Sequence, residues 1–461
     1  MLESGFNESK SLHHIRTKEI EEGKAIRKNT PRASHAEWKP NPHRPDPVEI
    51  LLSTSNNRLD HLLPLRYGRM SRSPFAYMRG MAKMMGYDLS TVPNTNIRVQ
   101  LCGDCHLGNF GAFASPERRV LFDITDFDET IPGPWEYDLK RLTVSFILLA
   151  RQHGYDHITV KNVALEMLSS YRKRMREFSM MSPLDVWYYI IDSEILIKTA
   201  PDRETRERRI EFEKKARSRT AEKLLRKMMI EKEGALQFIN QKPVLERLER
   251  GGDLESKFRV ALEKYPETLP EDRRYLLSNY KLSDIAFKVV GVGSVGTRCA
   301  VALYVSDGGD HLVLQVKEAS PSVLESYVGK CPYDHQGQRV VVGQKLMQCA
   351  SDIFLGWSND NDGHHYYVRQ LRDMKTNLSM EFLQGQVLHN FAEMCGWALA
   401  RAHAKSGEAP RIRGYIGKSD QFEMAVSDFA LAYADQSEKD YEKFMQAVKA
   451  GKVPIEIEKE E

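Results

Sequence analysis

A chain of 461 residues is long enough for two or three domains, or for one large two-lobed enzyme with extensions. With 41% apolar and 28% charged residues it reads as a soluble globular protein, and a net charge of only +3 gives no basic excess to mark a nucleic-acid binder. MLESGFNESKSLHHIRTKEIEEGK at the start has no apolar centre to suggest a secretory signal, and the longest apolar run, Val144 to Ala150, is far too short to span a membrane.

Residues 1 to about 48, rich in Lys, Arg, Glu and Pro, read as a partly ordered polar arm carrying one helix. Residues 49 to 280 read as a helical lobe. LLSTSNNRLDHLLPLRYGRM is broken at Pro64, and in SPFAYMRGMAKMMGYDL, Ser73 is placed to cap a helix whose first residue is Pro74. IRVQLCGD alternates as a short strand and RRVLFDITDF as a second, so the two are expected to pair as a hairpin within residues 98 to 130. After Pro132 and Pro134 the pattern turns helical through EYDLKRLTVSFILLARQHG and the segments 158 to 182 and 184 to 200. Residues 202 to 229 carry dense charge of both signs. That predicts a solvated helix laced with Glu–Lys and Glu–Arg pairs, the alternative being a basic face for phosphate-bearing or acidic partners. Near residue 284 the character changes. DIAFKVVGVGSVGTRCAVALYVSDGGDHLVLQVKEA reads as three strands, followed by a helix at 338 to 350, a strand at HYYVRQLRDM and a long helix at 385 to 404. Residues 281 to 375 are thus assigned to a small lobe, 376 to 440 return to the helical lobe, and 441 to 461 are an acidic tail.

CGDCHLGNFGAFASPERRVLFDITDFDET, residues 102 to 130, holds the densest chemistry. Asp104, His106 and Asn109 share one tight loop, and a short apolar strand then leads to Asp126 and Asp128. An acid, an amide and a second acid in that order suit phosphoryl transfer. Asp104, with His106 beside it, would orient an acceptor hydroxyl, while Asn109, Asp126 and Asp128 would hold Mg²⁺ against nucleotide phosphates. Hard oxygen donors favour Mg²⁺ over structural zinc. An Asx turn explains any one of these residues but not all of them around one hairpin. Cys102 and Cys105 form a C-x-x-C, yet a redox motif of that kind opens a helix, and this one ends a strand. Six cysteines without a secretory signal point instead to free thiols in a reducing cytoplasm. Asp104-x-His106 also opens the motif of metal-dependent phosphoesterases, whose further His ligands are not matched by the later His364-His365 pair.

Gly291, Gly293 and Gly296 make a G-x-G-x-x-G that also contains Ser294. A dinucleotide fingerprint needs a helix after the glycines, whereas TRCAVALYV alternates like a strand. The loop is therefore expected to tip a hairpin and fold over ATP phosphates, where glycines let backbone amides approach. HLVLQVK then ends in Lys317, placed to grip the α- and β-phosphates, with Glu325 its expected acidic partner and Glu318 the poorer choice. The strand through Gln370 would end as a hinge to the adenine.

CGDCHLGNF followed by TDFDE resembles the H-G-D-x-H-x-x-N and I-D-F/W-D/E motifs of aminoglycoside phosphotransferases, choline kinases and their relatives in the protein-kinase-like fold. Asp138, in WEYDLKRL, matches the family's Asp that supports the catalytic loop. Over most of residues 45 to 440 the chain is also similar to a large bacterial family labelled a domain of unknown function. Two departures stand out: Cys102 replaces the first His of the motif, and the Gly loop and Lys317 follow the catalytic loop instead of preceding it. The resemblance implies an α+β, two-lobed, circularly permuted kinase-like enzyme, with ATP and Mg²⁺ as cofactors and a small molecule or protein as acceptor. An ATP-binding regulatory module or an AMP transferase on the same fold is the alternative. No membrane or nucleic-acid partner is expected.

Overall fold

Residues Glu136–Gln152 form a helix buried at every position up to Ala150, the mark of a central helix rather than a surface one. In this computed structural model, which describes residues 15–218, 227–232, 234–371 and 379–458, that helix packs against His157–Phe178 and Gln421–Lys449. Gln386–Ser406 crosses His157–Phe178 so closely that a Cβ on Gly396 would lie 2.2 Å from the Met167 carbonyl. Ser73 caps Pro74–Arg79 by accepting from the Ala76 amide at 3.1 Å, as its position predicts. The segment expected as one helix over 184 to 200 is two short ones, Pro183–Tyr188 and Ser193–Lys198. Arg203–Ser218 is the charged helix, laced with the Arg203–Glu207, Arg208–Glu204 and Arg217–Glu213 pairs, while residues 219–226 lie outside the described residues.

The first and last described stretches are bound into this lobe more tightly than their polarity suggests. The helix over 15–26 is followed by Arg27, which donates to the Tyr415 carbonyl at 2.8 Å, and Arg32 reaches the Ile416 carbonyl at 2.8 Å. Arg44 is buried between Asp88 (2.8 Å) and Asp440 (2.6 Å). The last helix runs on to Lys449 instead of fading after 440, because Phe444 and Ala447 continue its apolar stripe into the core. Beyond it Val453 is buried and Glu458 meets Arg69.

The loop region is built from two small antiparallel ladders. β1 (Arg98–Leu101), β2 (Phe110–Ala114), β3 (Val120–Ile124) and β4 (Ile131–Pro134) pair as β1 with β4 and β2 with β3. The expected β1–β3 hairpin is therefore replaced. The chain re-enters extended conformation directly after Asn109, and a turn from Ser115 to Arg119, with Arg118 at φ +66°, closes β2 onto its sequence neighbour. Pro132 and Pro134 are tolerated in β4 because it belongs to a two-stranded ladder.

A further hairpin, β5 (Met229–Lys232) with β6 (Ala235–Phe238), precedes the main sheet. That sheet comprises β7 (Leu245–Arg247), β8 (Tyr280–Lys288), β9 (Cys299–Ser306), β10 (His311–Glu318), β11 (Gly356–Asn359) and β12 (His365–Gln370). All neighbours are antiparallel, in the order β11-β12-β10-β9-β8-β7. Helix Asp253–Lys264 and the Tyr265–Thr268 turn cover one face, burying Phe258, Ala261 and Tyr265 against Ala300, Leu314 and Val368. The sheet lobe thus begins near residue 245, not 281. Helix Gln336–Met347 packs on β11 and β12 and reaches the β1 ladder, joining the two halves. Among the described residues no helix is long and apolar enough to cross a membrane.

Candidate active site

The loop between β1 and β2 is shaped by a carboxylate beneath it. Asp138 accepts from the amides of Cys102 (2.6 Å) and Gly103 (3.0 Å), with His403 at 3.4 Å and Tyr171 in turn on His403. Gly103 stands at φ +86°, and a Cβ there would come within 2.1 Å of the Glu129 carbonyl, so the turn demands glycine. Asp104 Oδ1 accepts from Arg141 Nε at 2.7 Å, while Oδ2 lies 3.8 Å from His106 Nε2. Burial raises the Asp104 pKa and Arg141 works against that rise. His106 Nδ1 accepts from the Gly108 amide at 3.1 Å, which places the proton on Nε2, facing Asp104. Burial, helped by Arg79 and Arg141, holds its pKa well below the ordinary value, so the ring is neutral. Asn109 donates through Nδ2 to the Asp104 carbonyl at 2.9 Å, leaving its amide oxygen as the atom available to a cation.

The C-x-x-C thiols are free and buried. Cys102 donates to the Asp126 carbonyl at 3.3 Å. Its pKa is raised well above the ordinary value by its bond with Cys105 and by burial, and burial pushes Cys105 up to about 11. Neutral, enclosed thiols are inert, which removes the redox reading.

The segments from the far end of the sequence meet this loop. Asp128 Oδ2 accepts from Lys317 Nζ and from Ser294 Oγ (3.0 Å), and Oδ1 accepts from the Tyr367 hydroxyl at 2.7 Å. Glycine loop, β10 and β12 therefore converge on one acid of the hairpin. Lys317 is 3% exposed. Burial alone would lower its pKa, but Asp126 and Asp128 outweigh it and raise it. Gly291 and Gly296 occupy positive φ (+68° and +90°). A Cβ on Gly293 would sit 4.0 Å from Asp104 Oδ2, so the loop tip lies directly over that acid. The Leu59 amide holds the Gly296 carbonyl at 2.8 Å, and Arg69 holds that of Gly291.

Two expectations are corrected. Glu325 does not pair with Lys317. It opens a four-residue helix and accepts from the Cys331 amide at 2.9 Å. Glu318 pairs with Arg298 at 3.1 Å, because alternation along β10 sends its side chain to the opposite face from Lys317. Asp128, expected beside Asp126, accepts from Lys317, Ser294 and Tyr367. Gln370 lines the cleft, its amide held by Asp352.

The cleft between sheet and hairpin encloses about 660 Å³, within the ~300–1,000 Å³ of small-molecule sites, and is lined by Asp126, Ser294, Lys317, Phe354, Arg369 and Gln370. Asp104, His106 and Asn109 face a second compartment of about 90 Å³ that shares Asp126, Gly291 and Ser294 with the first.

A family model described as an uncharacterized protein conserved in bacteria, DUF2252, matches residues 58–447. The chain belongs to that family. The DUF2252 match takes in the loop, both acids, the glycine hairpin and Lys317. No curated protein and no solved structure matches the chain.

The donor set of this DUF2252 site fits Mg²⁺. Asp126 Oδ1 accepts from the Asp128 amide at 3.2 Å, leaving Oδ2, and with the Asn109 oxygen it gives two hard donors on one compartment. Among the described residues no group of three or more His, Cys, Asp or Glu could hold a metal ion. Several site residues escaped the sequence reading. Tyr367 and Arg369 stand opposite Lys317 and Gln315 in the β10–β12 register, and their i, i+2 spacing was the available signal. Arg141 lies one helical turn after Asp138, the spacing that puts both on one face. Arg339, buried, donates to the carbonyls of Thr130 (2.7 Å), Asp128 (2.8 Å) and Ser320 (2.8 Å) and so fixes the hairpin to the sheet lobe. Nothing in its sequence neighbourhood marks it.

Proposed function

We propose that the chain is a Mg²⁺-ATP-dependent phosphotransferase on a circularly permuted kinase-like fold, acting on a hydroxyl acceptor. One observation carries the reading: Lys317 and Ser294, from a glycine hairpin and its following strand, meet Asp128 two residues beyond Asp126, with Gly293 over Asp104. Elements separated by nearly two hundred positions thus compose one cleft. The order β8, glycine loop, β9, β10, helix Gln336–Met347, β12 is the order such a nucleotide lobe requires, displaced to follow the acids.

In this mechanism Lys317, kept cationic by Asp126 and Asp128, neutralises nucleotide phosphate oxygens. Asn109 and Asp126 would hold the Mg²⁺, which when bound would supply positive charge against the phosphates. Asp104 Oδ2 orients the acceptor hydroxyl and takes its proton as the acceptor oxygen bonds the γ-phosphorus and the bond to the bridging oxygen of ADP breaks. Arg141 fixes Oδ1, so that only Oδ2 is presented. His106, neutral, turns its Nε2 toward that oxygen at 3.8 Å.

Thermal shift with Mg²⁺-ATP tests the assignment. Wild type is expected to be stabilised, and Lys317→Ala and Asp126→Ala to lose most of that shift, whereas equal shifts in all three would remove the site. Product analysis separates the chemistry: ADP is expected, and release of pyrophosphate would point to AMP transfer instead.

A further inference from the structure

The compartment over Asp104 is walled on its other side by cations. Arg58 comes from the segment before Asp60–Leu62, Arg66 from helix Leu63–Met70, Arg79 from helix Pro74–Arg79 and Lys83 from helix Ala82–Ser90. Among the described residues none of the three guanidinium groups forms an ion pair with a carboxylate. Arg58 donates to the carbonyls of Thr54 (3.0 Å) and Val295 (2.5 Å). Arg66, 1% exposed, donates to the hydroxyls of Ser55 (3.1 Å) and Thr54 (3.2 Å), and its Nε is enclosed without a partner. Arg79 makes no hydrogen bond or ion pair among the described residues. Its Nε is likewise enclosed, and its cation lies 6.0 Å from the centre of the Phe75 ring.

Buried positive charge without a counter-ion is costly, and proteins keep it where an anion arrives from outside. Of the four acids lining the compartment, Asp104 is engaged by Arg141, Asp128 by Lys317 and Glu129 by the Val323 amide at 2.7 Å, and Asp126 keeps one oxygen open toward the metal side. Burial lowers the pKa of all three guanidinium groups and the charge of Arg58 lowers that of Arg66 further, while Glu129 and Asp128 offset part of the fall at Arg58, and Asp104 and Asp126 part of it at Arg79. A planar fork with open donors matches the oxygens of a phosphate or a carboxylate.

We propose that the acceptor carries an anionic group, a phosphate or carboxylate, which Arg79 with Arg66 and Arg58 holds beside Asp104. This rests on the phosphotransferase reading and names its substrate class: a hydroxyl compound that is already negatively charged. The γ-phosphate of the nucleotide could supply the same chemistry, but Asp104, which orients the acceptor, lines this compartment and not the larger cleft that Lys317 and Gln370 line.

Inorganic phosphate and acetate are the probes, titrated calorimetrically into the full chain with and without saturating Mg²⁺-ADP. Wild type is expected to bind at least one of them in both conditions. Arg79→Gln is expected to weaken that binding by about tenfold or more, the loss of a charge-assisted hydrogen bond, and Arg79→Lys by less. Mg²⁺-ADP affinity should be unchanged in both variants, which also shows them to be folded. Lys317→Ala should lose ADP and keep the anion. Failure of wild type to bind either probe overturns the proposal, as does binding indifferent to Arg79→Gln. So does a loss of ATP affinity relative to ADP in Arg79→Gln, which would give the arginines to the γ-phosphate. If wild type binds no nucleotide while anion binding still depends on Arg79, the phosphotransferase reading falls and the anion site stands.

Discussion

Asp128 does for this site what no acid on the sheet does: it gives buried Lys317 a counter-charge and ties Ser294 and Tyr367 to the same point. Leaving one partner of a buried pair alone is far more damaging than losing a neutral hydrogen bond. Asp128→Asn keeps the shape and removes the charge. Because Asp128 is itself 28% exposed, the expected loss is about 2–3 kcal/mol, at or below the low end of that for fully buried pairs, read by urea unfolding. The sign of its pH dependence follows from the pair. Burial raises the Asp128 pKa, Lys317 lowers it by more, and the net value in the fold falls below the ordinary 3.8. A carboxylate depressed in the fold stabilises above its unfolded pKa, and that stability is lost as pH falls through the folded value. The difference between wild type and Asp128→Asn should therefore be full at neutral pH and shrink below about pH 4, in the range where unfolded carboxylates protonate. A difference that stays constant into acid would show that the charge pair is not its source.

Helix Gln336–Met347 is the element that locks hairpin to sheet, and its closeness depends on a missing side chain. A Cβ on Gly343 would fall 2.5 Å from Thr130 Cγ2 and 3.0 Å from Gln100 Nε2. Thr130 cannot step aside, since its hydroxyl donates to the Leu101 carbonyl at 2.6 Å and accepts from Gln100 at 2.8 Å. Gly→Ala inside a helix ordinarily stabilises by about 1 kcal/mol. Here Gly343→Ala is expected to destabilise by about 1–3 kcal/mol through overpacking, measured by thermal or urea unfolding, and a more stable variant would refute the close contact. Elements also divide what the sequence disclosed from what it hid. Alternation over residues 284 to 318 reveals β8, β9, β10 and their glycine hairpin, and spacing alone singles out Asp104, Asn109 and Asp126. Strand pairing is different. β1, β3 and β4 are segments of only four or five residues with no local feature that selects a partner, so β1 joining β4 is decided only by the whole lobe. β7 has three residues and shows no period, and the charged text of Asp253–Lys264 conceals the buried stripe Phe258, Ala261 and Leu262. The lobe boundary was therefore placed too late. Arg66 and Arg79 read like their exposed neighbour Arg72; that Arg66 is buried and Arg79 half-buried depends on how two short helices turn, and residue type carries no trace of that.

Across the whole molecule, Arg44 joins three distant stretches of chain. It donates from Nε to Asp88 Oδ1 (2.8 Å) and from Nη1 and Nη2 to Asp440 (2.9 and 2.6 Å), with the Tyr433 hydroxyl on Asp88 at 2.9 Å. A segment that composition assigns to a polar arm thereby becomes the tie between helix Ala82–Ser90 and the last helix. The tie is electrostatically lopsided, one cation for two carboxylates. Burial raises the Asp88 pKa even with Arg44 lowering it. Arg44→Met, which keeps the aliphatic stem, leaves both acids facing each other in the interior, and the expected cost at pH 7 is about 3–5 kcal/mol. Without the guanidinium the folded pKa of Asp88 rises further above that of the unfolded chain, because the charge of Asp440 then acts on it unopposed. A group whose folded pKa is raised binds its proton more tightly in the fold, so acidification favours the folded state. The penalty of Arg44→Met should accordingly diminish as pH falls from 7 toward about 5, the reverse of the usual acid weakening of a salt bridge. Urea unfolding of wild type and variant at both pH values decides it. A penalty that grows on acidification would mean that loss of packing, not two stranded carboxylates, is what Arg44 prevents.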